Sequence, residues 1–403
     1  MSKNNENKLV PRLRFPEFKN DGNWKEKLFR QLFEFGNGKD YKHLSNGDIP
    51  VYGTGGKMLS VNDYLYDGES VCIGRKGTID SPIFLTGKFW TVDTLFYTHS
   101  FVNCIPKFIY YVFQNINWYD YNEAGGVPSL SKTTISKIKV LIPPRIEEQQ
   151  KIAACLSSLD DVITAESKKL EVLKEHKKGL LQNLFPQEGE TVPKLRFKEF
   201  EDSGEWVSDI LKNVFTIFQG FAFSSNDSVN DGVRWLKIAD VGIQQMNHLS
   251  PSYLPYEFKD KYENFLVKEG DYVIALTRPI LNKKLKISKV DNTLHNSLLN
   301  QRVGKLVSNK CIDFVYYLVQ TSNLISRIEQ NIAGSEPPNL SAQQIENIEV
   351  FIPPTKKEQQ KIANTLSSID DLINSQSQKI ETLKLHKKGL LQGLFPDVNE
   401  HNG

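Results

Sequence analysis

The sequence predicts an α+β protein: two domains of similar architecture separated by two long helices that pack as an antiparallel coiled coil, with approximate two-fold symmetry. Three observations predict it. One segment is duplicated within the chain, apolar residues in the duplicated segment follow a heptad spacing, and the intervals between copies mix short β-rich runs with glycine turns. At 403 residues the chain exceeds one ordinary core and suits two or three domains.

Residues 142–186 and 352–396 are identical at 30 of 45 positions, at an offset of 210. A shorter repeat opens each half, PRLRFPEF at 11–18 and PKLRFKEF at 193–200, followed by Trp24 and Trp206, at an offset of 182. Each half is therefore an opening motif, a divergent middle (about 19–141 and 201–351) and a shared tail. The middles share little beyond Gly22 with Gly204, Phe33 with Phe215 and Gly38 with Gly220. The expected division is residues 1–141 as the first domain with its opening motif, 142–186 as the first helical tail, 187–351 as the second domain with its opening motif, and 352–403 as the second helix and C-terminal tail.

In the tails, Ile152, Leu156, Leu159, Ile163, Leu170 and Leu173 repeat at 4-3 spacing, and Ile362, Leu366, Ile369, Ile373, Ile380 and Leu383 match them. Glu166 with Lys177, and Gln376 with Lys387, interrupt the two seams. Proline opens each helix, Glu147 and Glu148 suit the positive end of the helix dipole, and Pro186 and Pro396 stop the helices. Gly179 and Gly389 mark a bend or a close helix contact. Some 40 residues make a rod of roughly 60 Å. Each seam needs an equally long partner, which the other tail supplies; the competing arrangement has each helix covering its own domain.

Within the middles, Ser70–Ile73 and Tyr272–Leu276 read as strands, Phe108–Asn115 and Phe314–Gln320 as helices. Their loops carry basic, amide and aromatic side chains: Lys39, Tyr41, Lys42, Lys57, Arg75, Lys76 and Thr78 in the first half, then Arg234, Lys237, Thr277, Arg278, Lys283, Lys284, Gln301 and Arg302 in the second. Such side chains read base edges or hold phosphates. The same residues also populate ordinary solvated loops.

Motifs for chemistry return near misses. Gly53, Gly55 and Gly56 precede Lys57, but Met58 follows where a phosphate loop needs Ser or Thr. Glu336-Pro337-Pro338-Asn339 departs at both ends from the motif adenine methyltransferases place around a target base, and reads as a loop. Glu166-Ser167-Lys168 has the Glu-x-Lys half of a nuclease site without its upstream Pro-Asp, and His176 and His386 lack neighbouring metal ligands. Cys72, Cys104, Cys155 and Cys311 are scattered without metal or disulfide spacing. The polar start, with Asn4, Asn5 and Asn7, lacks a secretory stretch, and no segment has the roughly 20 apolar residues that span a bilayer, so a cytoplasmic protein is expected. A net charge of +2 neither supports nor excludes nucleic acid.

With IPP, EQQKIA, LSS, DD and HKKGLLQ-LFP in both tails, GESVCIGRKGT at 68–78, GGVPSLS at 125–131, Asn300-Gln301-Arg302 and GSEPPNLS at 334–341, the chain resembles the specificity subunits of type I restriction-modification enzymes over nearly its whole length. The resemblance implies a non-catalytic subunit with two target recognition domains, each reading one half of a bipartite site in double-stranded DNA. It implies helices that fix the half-site separation and dock two modification subunits, with restriction subunits joining that core. S-adenosylmethionine, ATP and Mg would belong to those partners, and this chain would hold no cofactor and no metal. The alternative is a coiled-coil adaptor whose two heads bind proteins.

Overall fold

The computed structural model describes residues 9–332 and 337–396. Asn4, Asn5 and Asn7 of the polar start, and Gly334 to Glu336 of the 334–341 stretch, lie outside the described residues. Four helices organise the described chain: α1 (Pro106–Gln114), α2 (Ile146–Asn183), α3 (Ile312–Leu318) and α4 (Lys356–Leu394). The chain forms two compact units, one from residues up to 168 together with those from 377 onward, the other from residues 169–376.

The first unit carries β1 (Lys25–Leu28), β2 (Glu34–Asn37), β3 (Asn46–Gly53), β4 (Gly56–Val61), β5 (Tyr66–Asp67), β6 (Ser70–Gly74), β7 (Ile83–Leu85), β8 (Lys88–Thr91), β9 (Leu95–His99) and β10 (Lys139–Ile142). One sheet has the order β2-β9-β6-β7, all antiparallel, and another has β4-β3-β8-β5, in which β3 and β8 are parallel. In the first of these, the central strand β6 is buried along its whole length, which suits the run Val71-Cys72-Ile73. Pro106 stands in the first turn of α1, where no amide is missed, and Phe108 and Phe113 bury against Trp24, Phe29, Phe33 and Phe35.

The second unit repeats this plan on a divergent sequence. Its strands are β11 (Val207–Ile210), β12 (Thr216–Gln219), β13 (Val233–Leu236), β14 (Tyr253–Leu254), β15 (Leu266–Val267), β16 (Tyr272–Ala275), β17 (Ile280–Leu281), β18 (Lys284–Leu285), β19 (Ile287–Lys289), β20 (Ser297–Leu299), β21 (Val303–Val307) and β22 (Glu349–Ile352). The sheets run β12-β21-β16-β19 and β14-β13-β20-β15, and β13 with β20 is again the parallel pair. The hairpin β17-β18 is an addition. Asn282 and Lys283 turn it with φ of 51° and 58°, the two positive values that a two-residue hairpin turn requires.

The repeated tail residues turn out to be anchors. In the first unit Glu148, in the first turn of α2, is fully buried; both its oxygens accept from Arg14, at 2.8 Å each, and one also accepts from the Trp24 indole at 3.2 Å. Arg14 donates once more to the Gly22 carbonyl, at 2.7 Å. The second unit has the same set: Arg196 to Glu358 at 2.7 and 2.8 Å, Trp206 to Glu358 at 3.2 Å, and Arg196 to the Gly204 carbonyl at 2.7 Å. Gln149 accepts from the Ile105 amide ahead of α1, and Gln359 from the Cys311 amide ahead of α3, both at 3.1 Å.

The helices are antiparallel within each unit. Asp160 pairs with Lys387 at 2.6 Å and Glu166 with Lys379 in the first unit, so the α4 number falls as the α2 number rises. In the second unit Asp370 pairs with Lys177, also at 2.6 Å, while Ile362 and Leu366 share a core with Leu184 and Phe185. Tyr111 and Tyr317 donate to the same aspartates at 2.9 and 2.8 Å. Burial, followed by the neighbouring carboxylate, pushes both phenols up and keeps them protonated donors. Lys177 and Lys387, which the sequence pattern marks as interruptions of the seam, thus supply its charged partners. Ile152, Leu156, Ile362, Leu366 and Ile380 are buried; Leu159, Ile163, Leu170, Leu173, Ile369, Ile373 and Leu383 are half-buried.

Three details differ from expectation. The helices begin at Ile146 and Lys356, beyond the prolines, and the carbonyls of Pro143 and Pro353 accept from Gln149 and Gln359. Gly179 and Gly389 have open space where a Cβ would stand, so no close helix contact requires them. The tight glycine is Gly393: a Cβ there would lie 2.4 Å from Leu13, whose amide donates to the Gly393 carbonyl at 2.7 Å. At the helix ends, Leu394 and Phe395 enter the first core, Phe395 against Trp24 and Phe108, and Leu184 and Phe185 enter the second, Phe185 against Trp206 and Phe314.

Removing one partner of a buried, bidentate pair leaves a desolvated charge and costs about 3–5 kcal/mol. Glu148→Ala and Glu358→Ala should each lower stability by that amount in denaturant titration. Arg145→Ala, whose side chain is 48% exposed, should change it by under about 1 kcal/mol.

Candidate nucleic-acid interface

In the first unit three of the loops singled out by sequence meet along Thr91–Leu95, the turn between β8 and β9. Leaving β2, Gly38 lies so close to this turn that a Cβ would stand 1.9 Å from the Val92 carbonyl. Lys39 comes next, its amide donating to the Thr91 carbonyl and its own carbonyl accepting from the Trp90 indole, both at 2.8 Å. Tyr41 packs with Val51, Trp90 and Val92, while Lys39 and Lys42 are exposed. After β6, the Arg75 amide donates to the Thr94 carbonyl at 2.7 Å, and Gly77 donates to Pro128 at 2.9 Å. Arg75 and Lys76 flank the turn with Thr78, and Arg75 is exposed. The β3-β4 turn reaches the same place: a Cβ on Gly77 would lie 3.9 Å from Thr54 Oγ1, and exposed Lys57 stands at the far end of that turn.

The second unit builds the matching edge. Gly220 leaves β12 with a Cβ position 2.3 Å from the Leu299 and Asn300 carbonyls. Leu276 donates to the Arg302 carbonyl as Arg75 does to Thr94, and Arg278 donates to Pro338 as Gly77 does to Pro128. The structural counterparts are therefore Lys39 with Phe221, Arg75 with Leu276, Lys76 with Thr277, Gly77 with Arg278, and Thr94 with Arg302. Arg75 and Arg278 are thus not counterparts: Arg278 stands two positions further along its edge than Arg75 does on its own. Gly77 takes φ of 94° and Arg278 takes 49°, an uncommon value for a residue with a Cβ.

Thr277, Gln301 and Arg302 line a cleft of about 490 Å³ together with Gln219, Asn339 and Ser341. Thr277 donates to Asn339 at 2.8 Å, and Gln219 to the Gln301 carbonyl at 2.7 Å. Sequence reasoning missed Gln219 and Phe221 and treated Asn339 only as loop. The 210 offset, which extends back to Pro128 and Pro338, held the signal for Asn339. Lys283 and Lys284 are exposed on the hairpin that comes after Arg278.

Arg234 and Lys237 are employed differently. Arg234, 12% exposed, pairs with Asp240 at 2.6 Å and donates to the Ser252 carbonyl at 3.2 Å. Lys237 Nζ sits 3.8 Å from the Trp235 ring centre, and its amide donates to Asp240. Arg234 is thereby tied to the packing of β13, whereas Lys237 leaves β13 beside the edge, where the Leu236 carbonyl accepts from the Asn300 amide at 3.0 Å.

Among the described residues no group of three or more His, Cys, Asp and Glu could hold a metal ion, and no helix is long and apolar enough to cross a membrane. Burial pushes the Cys72 and Cys104 thiols up to about 12.

The model of the type I restriction modification DNA specificity domain matches twice, over residues 21–175 and 203–385. The type I restriction enzyme MjaVIII specificity subunit of Methanocaldococcus jannaschii is 30% identical over 350 residues, covering 84% of this chain and 79% of that protein. The EcoAI specificity subunit of Escherichia coli is 27% identical over 222 residues, 54% of this chain and 36% of its own length. The crystal structure of the type I restriction-modification S subunit from M. genitalium shares the fold, with a TM-score of 0.67 at 14% identity over 96% of this chain and 100% of that one. With two specificity domains on one repeated plan and a relative that matches most of its length, the chain belongs to the specificity subunits of type I restriction-modification enzymes, the non-catalytic component of those complexes.

Proposed function

We propose that each unit reads one half of a bipartite, asymmetric site in double-stranded DNA through the edge that these loops form. The observation that carries this reading is the pairing of one strand framework with two different sets of edge side chains: Lys39, Arg75 and Lys76 in the first unit, Phe221, Thr277, Arg278, Gln301 and Arg302 in the second. Exposed arginine and amide side chains suit base edges, while Lys42, Lys57, Lys283 and Lys284 suit phosphates. In this reading residues 1–141 and 187–351 are the recognition regions. Segments 142–186 and 352–403 set the number of unread base pairs and dock two modification subunits. Those subunits would bring S-adenosylmethionine and methylate adenine; restriction subunits would bring ATP- and Mg-dependent translocation and cleavage, in the cytoplasm.

Docking on the helices is supported by Val162 and Leu372, which occupy the same position in the two repeats and are 42% and 53% exposed. Apolar side chains left outside the seam at matched positions suit a partner present in two copies. Val162→Glu and Leu372→Glu should each remove one modification subunit from the assembly, read as complex mass. Retention of both subunits in both variants would overturn the docking site.

Segment exchange tests the division of labour. Replacing residues 19–141 by those of a relative should change one half of the methylated motif and preserve the other in methylome sequencing; a change in both halves defeats the modular reading. Arg278→Gly removes the side chain at a backbone angle that glycine prefers, so stability should hold. Specificity should relax at one position, by about 1–3 kcal/mol if Arg278 reads a base. A phosphate contact would instead weaken all sequences alike and lower the salt dependence of binding.

A further inference from the structure

Phe221 stands on the second unit's edge, at a position where the first unit carries a different side chain. Its counterpart is Lys39, set by the same close glycine approach and an equivalent backbone bond: Lys39 to the Thr91 carbonyl, Phe221 to the Leu299 carbonyl at 2.9 Å. Lys39 is exposed to solvent; Phe221 is 36% exposed. Its backbone is tied to the edge, where the Phe221 carbonyl accepts from the Gln301 main-chain amide at 2.9 Å and the Gln219 side chain donates to the Gln301 carbonyl. On the protein side the ring is held by Tyr262, Phe223 and Phe265, with centroids 4.7, 5.0 and 5.3 Å away.

An apolar ring held on an aromatic cluster and partly open to solvent, where the other unit carries lysine, suits an apolar feature of its ligand. In the major groove the one apolar group on a base edge is the thymine 5-methyl, which phenylalanine contacts in direct readout. A wedge that unstacks bases must project into the duplex. Phe221 is packed on three neighbours with only part of its ring free, which favours contact over insertion.

We infer that Phe221 is a specificity-determining residue that recognises the methyl group of one thymine in the half-site read by the second unit. The inference rests on the edge being the DNA-reading surface. It predicts that this half-site contains an A·T pair whose thymine methyl contributes to binding, and that the first unit has no matching preference at Lys39.

The test uses the chain assembled with its modification subunits and duplexes in which uracil replaces each thymine of the methylated motif in turn. Wild type should lose roughly fourfold in affinity at one position of the second unit's half-site, the worth of one buried methyl. Phe221→Ala and Phe221→Lys, the latter copying the first unit, should bind thymine and uracil duplexes equally while still reading the other half-site, which also reports that they are folded. The inference is overturned if wild type is indifferent to uracil everywhere in that half-site while Arg278→Gly or Gln301→Ala relaxes specificity; the edge would then read DNA without Phe221. It is also overturned if Phe221→Ala weakens every sequence equally. If none of these substitutions changes specificity, the reading edge itself falls with it.

Discussion

A carboxylate buried in the first turn of each long helix governs how the rest of each unit is assembled. Glu148 and Glu358 would be costly in a core if unpaired, since desolvating an ion costs several kcal/mol. Each is tolerated because three donors, two from arginine and one from tryptophan, meet its oxygens, and because the positive end of the helix dipole lies beside it. The arginine belongs to the opening motif and the tryptophan lies just beyond it, so this cluster fixes the start of each half onto its tail helix. Gln149 and Gln359, one residue on, hold the start of α1 and α3, and those helices support the sheets. The repeated Glu-Gln pair is thereby the junction between scaffold and recognition framework.

A second charged device specifies helix register. Leucine and isoleucine at heptad spacing can slide by a heptad with little loss, whereas Lys177 and Lys387 each pair with one carboxylate of the facing helix, Asp370 and Asp160. A polar group in an apolar seam trades stability for a unique alignment. The tyrosines contributed by α1 and α3 bond the same aspartates, so helix register and domain packing are specified together.

Above these anchors the two recognition frameworks are alike in strand order and unlike in sequence. Main-chain hydrogen bonds and a few close glycine contacts define the edge, and these leave the side chains free to vary. This is why one scaffold carries lysine and arginine in one unit and phenylalanine, threonine, glutamine and arginine in the other. It is also why the loop side chains were legible in the sequence only as a class. Arg234 matches the composition of a DNA-reading residue, yet it is committed to Asp240, a partner six residues away that no periodicity marks.

By itself the sequence determined the duplication, the helical tails, the heptad seam, and the strands and helices that run within a residue or two of Ser70–Gly74, Tyr272–Ala275, Pro106–Gln114 and Ile312–Leu318. Those features are local: spacing, turn chemistry and repetition along one chain carry them. Tertiary structure decided the roles of Glu148, Lys177, Asp160 and Phe395, whose partners lie far away in the chain, and it decided that Gly77 answers to Arg278 while Arg75 answers to Leu276. Insertions had shifted the offset between the two halves from 182 at the opening motifs to 210 at the tails. No alignment of the divergent segments could assign those counterparts, because the equivalence resides in backbone hydrogen bonds, which any side chain permits.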